Sequence, residues 1–336
     1  MFFRNDTKII ITRLDLSIPG MVAAMSPSNS HLLSNLEDFT VSSDSQPLMY
    51  SESYLAIGEH VNRGVHSSPS SLSGYTLSIA SNICTASGIT NNEVLWDLFL
   101  TGEYSMEPAV QPGVISNRSN YSALKEFSVV VIIGSYCKAY TGCIVSNLSI
   151  EMQMASILTG AWDIISNRCI DIPISDLSYL FTAGELTGVG RDTGVEFIVD
   201  RLALITLNGV DLPAIQCALT FSHNVSVVPD TTINTVGITT GYQLGSFNID
   251  GSIRIYTKVG ATSTLVNDIS EAYRTNAYGL NMPLSILFKG PSSDLRLTIG
   301  DVFASVPQSN NDPILTTSII FSANNYVDNG LKLEKV

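Results

Sequence analysis

The chain has 336 residues, 45% of them hydrophobic and only 14% charged. At roughly 100–200 residues per domain, the length suggests two domains, and the apolar content excludes a disordered chain. Seventeen Lys and Arg stand against 30 Asp and Glu, a net charge of −13. That argues against a protein that grips phosphate backbones, because such affinity comes from cations that displace counterions.

In chain order, residues 8–16 are rich in Ile and Leu and stop at Pro19-Gly20, which predicts a strand. Further strands are expected at 75–80, 127–133, 144–150 and 161–165, each bounded by Gly, Asn or Ser. The second half offers strands at 197–207, 247–256, 284–288, 295–303 and 314–321. In the stretch 247–256, Phe247, Ile249, Ile253 and Ile255 share one phase, and Asn248, Asp250, Ser252 and Arg254 the other. Such period-two alternation marks a strand with one buried face. Two segments read as short helices. Residues 91–100 carry Val94, Leu95, Leu98 and Phe99 on one side, and residues 263–274 carry Leu265, Val266, Ile269 and Tyr273.

These elements repeat in order. Residues 11–16 resemble 199–204, 73–79 resemble 250–255, 95–98 resemble 266–269, and the strand ending at Gly134 resembles that ending at Gly290. The offset falls steadily along the chain, as insertions in a first copy require, and repeats govern architecture. The expected fold class is therefore mainly β, with sandwich-like or barrel-like sheets and one short helix per domain. Two tandem domains are expected, 1–168 and 169–336. Long insertions at 21–38, 46–73, 108–120 and 227–242 are expected to be interaction loops.

Catalytic signatures do not appear. There is no Gly-x-Ser-x-Gly elbow, no His-Glu-x-x-His and no Walker loop. The glycines of 184–194 lack the GxGxxG spacing. His60 and His66 near Glu59 read as surface histidines, and Asp97 and Asp268 as solvent-facing helix residues. The five cysteines (Cys84, Cys137, Cys143, Cys169 and Cys217) form no CxxC pair and read as thiols kept reduced. Neither a signal-peptide layout nor an apolar run long enough to span a membrane is apparent. The expectation is a soluble protein made in a cytoplasm, with no enzymatic activity, cofactor or metal.

The stretch from Tyr140-Thr141-Gly142 through Ile150, followed by Thr159-Gly160-Ala161-Trp162, resembles the tail tube proteins of long-tailed bacteriophages. In that family an aromatic-Thr-Gly turn leads into a strand, a loop and a Thr-Gly-x-aromatic strand. Residues 73–79 and the helix ending at Gly102 fit the same pattern. The second half follows it more loosely and has Asp294-Leu295-Arg296 near the place of the turn.

The resemblance implies a structural virion protein, synthesised in the host bacterial cytoplasm, that stacks in rings as a hollow tube for genome passage. A duplicated chain implies rings of three with pseudo-sixfold shape. Four inner strands per domain would give about 24 strands and a backbone circle about 48 Å across. Implied partners are further copies of the chain and the tape measure, terminator and distal tail proteins. DNA is met only in transit, and no membrane is involved. Expected to face the lumen are Asn248, Asp250, Ser252, Arg254, Asp294 and Thr298. Leu48, Tyr50, Tyr54, Leu55 and Ile57 are expected to touch the next ring. Competing readings are a baseplate or tail-terminator ring and a receptor- or carbohydrate-binding β-protein, the last requiring exposed aromatic platforms.

Overall fold

The computed structural model describes residues 7–50, 66–85, 93–101, 114–116, 126–153, 156–191, 195–196, 198–199, 203–229, 239–256, 261–275, 281–289, 294–305, 307–310, 316–323 and 330–336. Strands dominate these residues, as the sequence predicts. The first half contains β1 (Thr7–Thr12), β2 (Ser30–Leu32), β3 (Leu36–Tyr50), β4 (His66–Asn82), helix α1 (Glu93–Thr101), β5 (Phe127–Ile133), β6 (Tyr136–Gln153) and β7 (Thr159–Asp171). The second half contains β8 (Ala203–Leu207), β9 (Val210–Leu212), β10 (Ala214–Ser222), β11 (Val225–Pro229), β12 (Thr239–Leu244), β13 (Asn248–Tyr256), helix α2 (Ala261–Thr275), β14 (Asn281–Phe288), β15 (Leu295–Ala304), β16 (Gln308–Asn310), β17 (Thr316–Ala323) and β18 (Leu331–Lys335).

Strand pairing runs in the same order in the two halves. In the first it is β3-β4-β7-β6-β5-β1-β2. In the second it is β10-β13-β17-β15-β14-β8-β9. The helix follows the second strand of this order in each case. Two register breaks also coincide. Leu36/Asp38 on β3 matches Ala214/Gln216 on β10, and Phe127/Val129 on β5 matches Met282/Leu284 on β14. Through these registers Tyr140-Thr141-Gly142 falls at Ile299-Gly300-Asp301, rather than at Asp294-Leu295-Arg296. Gly142 has φ +58°, and a Cβ there would stand 2.7 Å from Asn167 Nδ2, so only glycine fits without strain.

One apolar core runs through both halves. It joins Leu77, Trp162 and Val129 of the first to Phe221, Ile253, Leu284 and Ile319 of the second. Helix α1 is buried on every side from Val94 to Leu100, Asp97 included at 9% exposure. Asp97 is therefore not the solvent-facing residue that the sequence suggests, whereas Asp268 is exposed. On α2, Leu265 and Ile269 are buried and Tyr273, expected beside them, is 37% exposed.

Phe99, on the expected apolar side of α1, is packed from both halves. Its ring meets Trp162 of β7 at 6.2 Å and Phe221 of β10 at 6.3 Å between centroids. It also meets His223 at 4.5 Å and Phe247 at 5.6 Å, so one helix is packed from both halves. His223 completes the joint through two bonds. Its ring Nε2 lies 2.8 Å from the Phe99 carbonyl, and its backbone N–H donates to the Ser146 carbonyl at 2.8 Å. Burial lowers the His223 pKa to about 4, against a smaller raising effect of the Phe99 carbonyl.

A smaller core lies on the other side of β1 and β5. Ile10, Val130, Ile132, Cys137 and Ala139 are covered there by Ile172, Leu177, Leu180, Leu186 and Val189. This explains the unbroken apolar run of β5, which is buried on both faces. The run of chain after β7 is thus built onto the first half. In the second half the matching positions are Thr206, Ser285, Leu287, Arg296 and Thr298, mostly polar.

The two halves fill one core position by different pairs. Leu77 on β4 faces Ile164 on β7, whereas Gly251 on β13 faces Phe321 on β17. A Cβ at Gly251 would lie 2.2 Å from the Phe321 ring, which occupies the missing side chain's place. Gly251→Leu is expected to cost about 2–3 kcal/mol by overpacking, and Phe321→Ile added to it to recover most of the loss. Denaturant unfolding of the two variants tests this, and simple addition of the two penalties would refute it.

His223 generates a pH dependence. Its ordinary value of 6.5 holds in the unfolded chain and about 4 in the folded one, so below pH 6.5 the unfolded state binds the extra proton. Stability is therefore full above pH 6.5 and falls as pH drops towards 4, by about 3 kcal/mol. Unfolding curves of wild type and His223→Gln across pH 4–7.5 check this; equal slopes would exclude His223 as the cause.

Candidate functional site

The core-averted sides of β3, β4, β7, β6, β10, β13 and β17, ending at the tip of β15, form one continuous surface. It exists because β6, paired with β7 along its length, also pairs β10 from Asn147 to Gln153. One row of directly opposed residues crosses all eight strands: Asp38, Ala80, Ala161, Ser149, Thr220, Asp250, Ser322 and Phe303. A parallel row reads Thr40, Ser78, Asp163, Asn147, Ser222 and Asn248. Two shorter rows read Glu151, Ala218, Ser252, Ile320 and Gln153, Gln216, Arg254, Ser318, Gln308.

Apart from Phe303 and Ile320 on the last strands, small and polar side chains fill these rows. Their charged members are Asp38, Asp163, Asp250 and Glu151 against Arg254, a net negative set. Much of the polarity is tied down. Ser78 Oγ donates to Asp163 Oδ1 at 2.6 Å and Asn147 Nδ2 to Asp163 Oδ2 at 3.4 Å. Glu151 Oε1 accepts from Gln153 of its own strand at 2.9 Å and from Gln216 of the second half at 3.2 Å. The Arg254 guanidinium donates from Nε and Nη2 to Thr316 Oγ1, both at 3.3 Å.

The predicted surface residues divide. Asn248, Asp250, Ser252 and Arg254 do stand together on the core-averted side of β13, opposite buried Ile249, Ile253 and Ile255. Asp294 and Thr298 are elsewhere. Asp294 precedes β15 and exchanges backbone bonds with Val336. Thr298 lies on the part of β15 that pairs with β14 and β18, and β17 separates β15 from β13. The sequence reading missed the partners that complete the surface, chiefly Asp163, Ser149 and Thr220. The short polar residues of 147–153 carried that signal, since they alternate with Leu148, Ile150 and Met152.

Of the residues expected to reach another ring, Leu48 and Tyr50 are on β3, opposite Ser68 and His66 of β4. Tyr54, Leu55 and Ile57 lie outside the described residues, as does His60. Beyond Tyr75, where β7 ends its pairing with β4, the two long strands continue paired as a ribbon. The equivalent hairpin of the second half, β11–β12, pairs with itself and sends the Tyr242 hydroxyl to the carbonyls of Gly142 and Ile165.

Trp96 and Trp162 are each 1% exposed and meet edge-to-face at 5.1 Å, so neither is a sugar platform. Burial pushes the thiols of Cys137, Cys143 and Cys217 up to about 12, which leaves them uncharged at neutral pH. A family model described as "Phage tail tube protein" matches residues 6–323 of the chain. No curated protein matches it.

Proposed function

The chain belongs to the phage tail tube protein family, and on that premise we propose that three copies close into a ring and that rings stack into a hollow tube. The chain is a structural protein of the virion tail, and the family implies self-assembly and contact with other tail proteins. Tape measure, terminator and distal tail proteins are the partners proposed. In this reading the two copies of one tube domain expected at 1–168 and 169–336 are supported by their common pairing order and coincident register breaks, with the boundary moved past β7, which runs on to Asp171. The segment after β7 is then a decoration of the first copy.

The observation that carries the proposal is the eight-strand sheet with its small, polar, net-negative face. Three chains supply about 24 strands, enough to close a wall wide enough for a duplex, and closure removes open strand edges. Side chains as short as Ser, Thr and Ala present few groups that could hold phosphates, and the carboxylates repel them. Asn248, Asp250, Ser252 and Arg254 face the lumen in this arrangement, joined by Asp163 and Glu151. The β3–β4 ribbon, with strands about 50 Å long by their residue count, reaches the next ring through Leu48, Tyr50, Tyr54, Leu55 and Ile57.

Native mass spectrometry and ring averages from negative-stain images test the assembly. Three chains per ring are expected, and deletion of residues 48–67 should leave rings that do not elongate. Six chains per ring, or normal tubes from the deletion variant, would refute these assignments. The lumen assignment has its own test. Asp163→Lys with Asp250→Lys should leave assembly intact and slow genome ejection, more strongly at low salt, because unscreened lysines attract the passing phosphates. Unchanged ejection at every salt concentration would place the face elsewhere.

A further inference from the structure

The pairing of β6 with β10 joins the two halves inside one chain, and both of its partners have equivalents at the ends of the eight-strand sheet. By the shared registers, β10 corresponds to β3, with Ala218, Leu219 and Thr220 at Thr40, Val41 and Ser42. The outer part of β6 corresponds to β16, with Ser149, Ile150 and Glu151 at Gln308, Ser309 and Asn310. Among the described residues, β3 pairs with β4 alone and β16 with β17 alone. The sheet thus ends in two complementary edges, each lacking the neighbour that its counterpart has at the centre.

Burial points the same way. Leu219 is 1% exposed beneath the β6–β10 ladder, while Val41 at the equivalent place is 39% exposed. Ile144, which pairs with Ile165 beside the Tyr242 contact, is 5% exposed, while its counterpart Phe303 is 37% exposed. In both cases an apolar side chain buried in the interior of the sheet has an open counterpart near its end. Edges of this kind are templates for strand addition.

We infer that β3 of one copy adds antiparallel to β16 of the next, in the register of the internal β6–β10 ladder, so that Ser42 stands opposite Gln308, Val41 opposite Ser309 and Thr40 opposite Asn310 of the neighbouring copy. The occupant of each edge is a second copy of this chain. Chain-to-chain contact then repeats the contact between halves, and the polar rows continue unbroken from Asp38 of one chain to the β15–β16 end of the next. This rests on the ring assembly proposed above, and adds to it the strands and the register.

Opposed residues in an antiparallel ladder have Cα atoms about 4.5–5.5 Å apart, within disulfide reach. Ser42 and Gln308 are both exposed in the single chain. Under mild oxidation the Ser42→Cys/Gln308→Cys variant should give a covalent ladder that stops at three chains on non-reducing gels, absent from either single variant. Val41→Lys, a charge placed at the edge, should raise the concentration needed for ring formation by at least about tenfold. Its thermal unfolding as a monomer should match wild type. If rings form normally in Val41→Lys and the double-cysteine variant does not cross-link, this register is overturned while the ring assembly stands. If the wild-type chain remains monomeric at every concentration, the ring assembly is overturned and the register with it.

Discussion

The ladder from Asn147 to Gln153 against Gln216 to Ser222 is the interaction on which the remaining architecture depends. β6 is long enough to serve two neighbours on one edge, taking β5 along its first part and β10 along its last. Without β10 there, each half would end in an open edge and the polar rows would be cut in two. The ladder is held from below as well as along its edge. Phe99 and His223 lie under it, and a buried imidazole bound to a helix-end carbonyl fixes where the helix of one half meets the strand of the other.

That joint orders the chemistry of the two sides of the sheet. Towards the core, the strands present Leu148, Ile150, Leu219, Ile249 and Ile253, which pack with the rings around α1. Away from it, the same strands present Ser149, Thr220, Asp250 and their neighbours. Burial thus dictates every second residue, and function is free to choose the others. In the proposed tube the polar side needs no preformed pocket, because a surface that must not hold its cargo works by carrying few long cationic side chains, and Arg254 on these rows is bonded to Thr316.

Much of this was legible in the sequence, and the gaps have physical causes. The alternation around Ile249 to Ile255 gave both faces of β13, and the resemblance to tail tube proteins gave the family. The order of repeated elements foreshadowed the common pairing order. Strand ends are misjudged where Gly, Asn or Ser reads as a breaker. Gly160 and Ser166-Asn167 confine the expected strand to 161–165, although β7 runs from Thr159 to Asp171. The first strand was drawn too long, because residues 13–16 turn away at Thr12, where Asp15 Oδ1 accepts from the Ser17 backbone at 3.0 Å. Asp97 reads as solvent-facing by helical periodicity alone, and no local pattern reports that this side of the helix is buried as well. Thr298 is grouped with Asp250 by polarity, which does not report that it lies on the part of β15 paired with β14 and β18.

The patch formed by Ile172, Leu177, Leu180, Leu186 and Val189 over β1 and β5 has a consequence for symmetry. A hoop built from six identical chains must repeat any outgrowth at all six stations. A chain that carries two unlike halves can place an outgrowth on alternate stations and leave the others smooth, and the sequence is already divided in this way: Ile10, Val130 and Ala139 lie under the patch, while Thr206, Ser285 and Thr298 hold the matching places on the other half. In the ring proposed above, the interior can then approach sixfold regularity while the exterior keeps threefold relief, so that anything docking on the outside would find three berths against six inner stations.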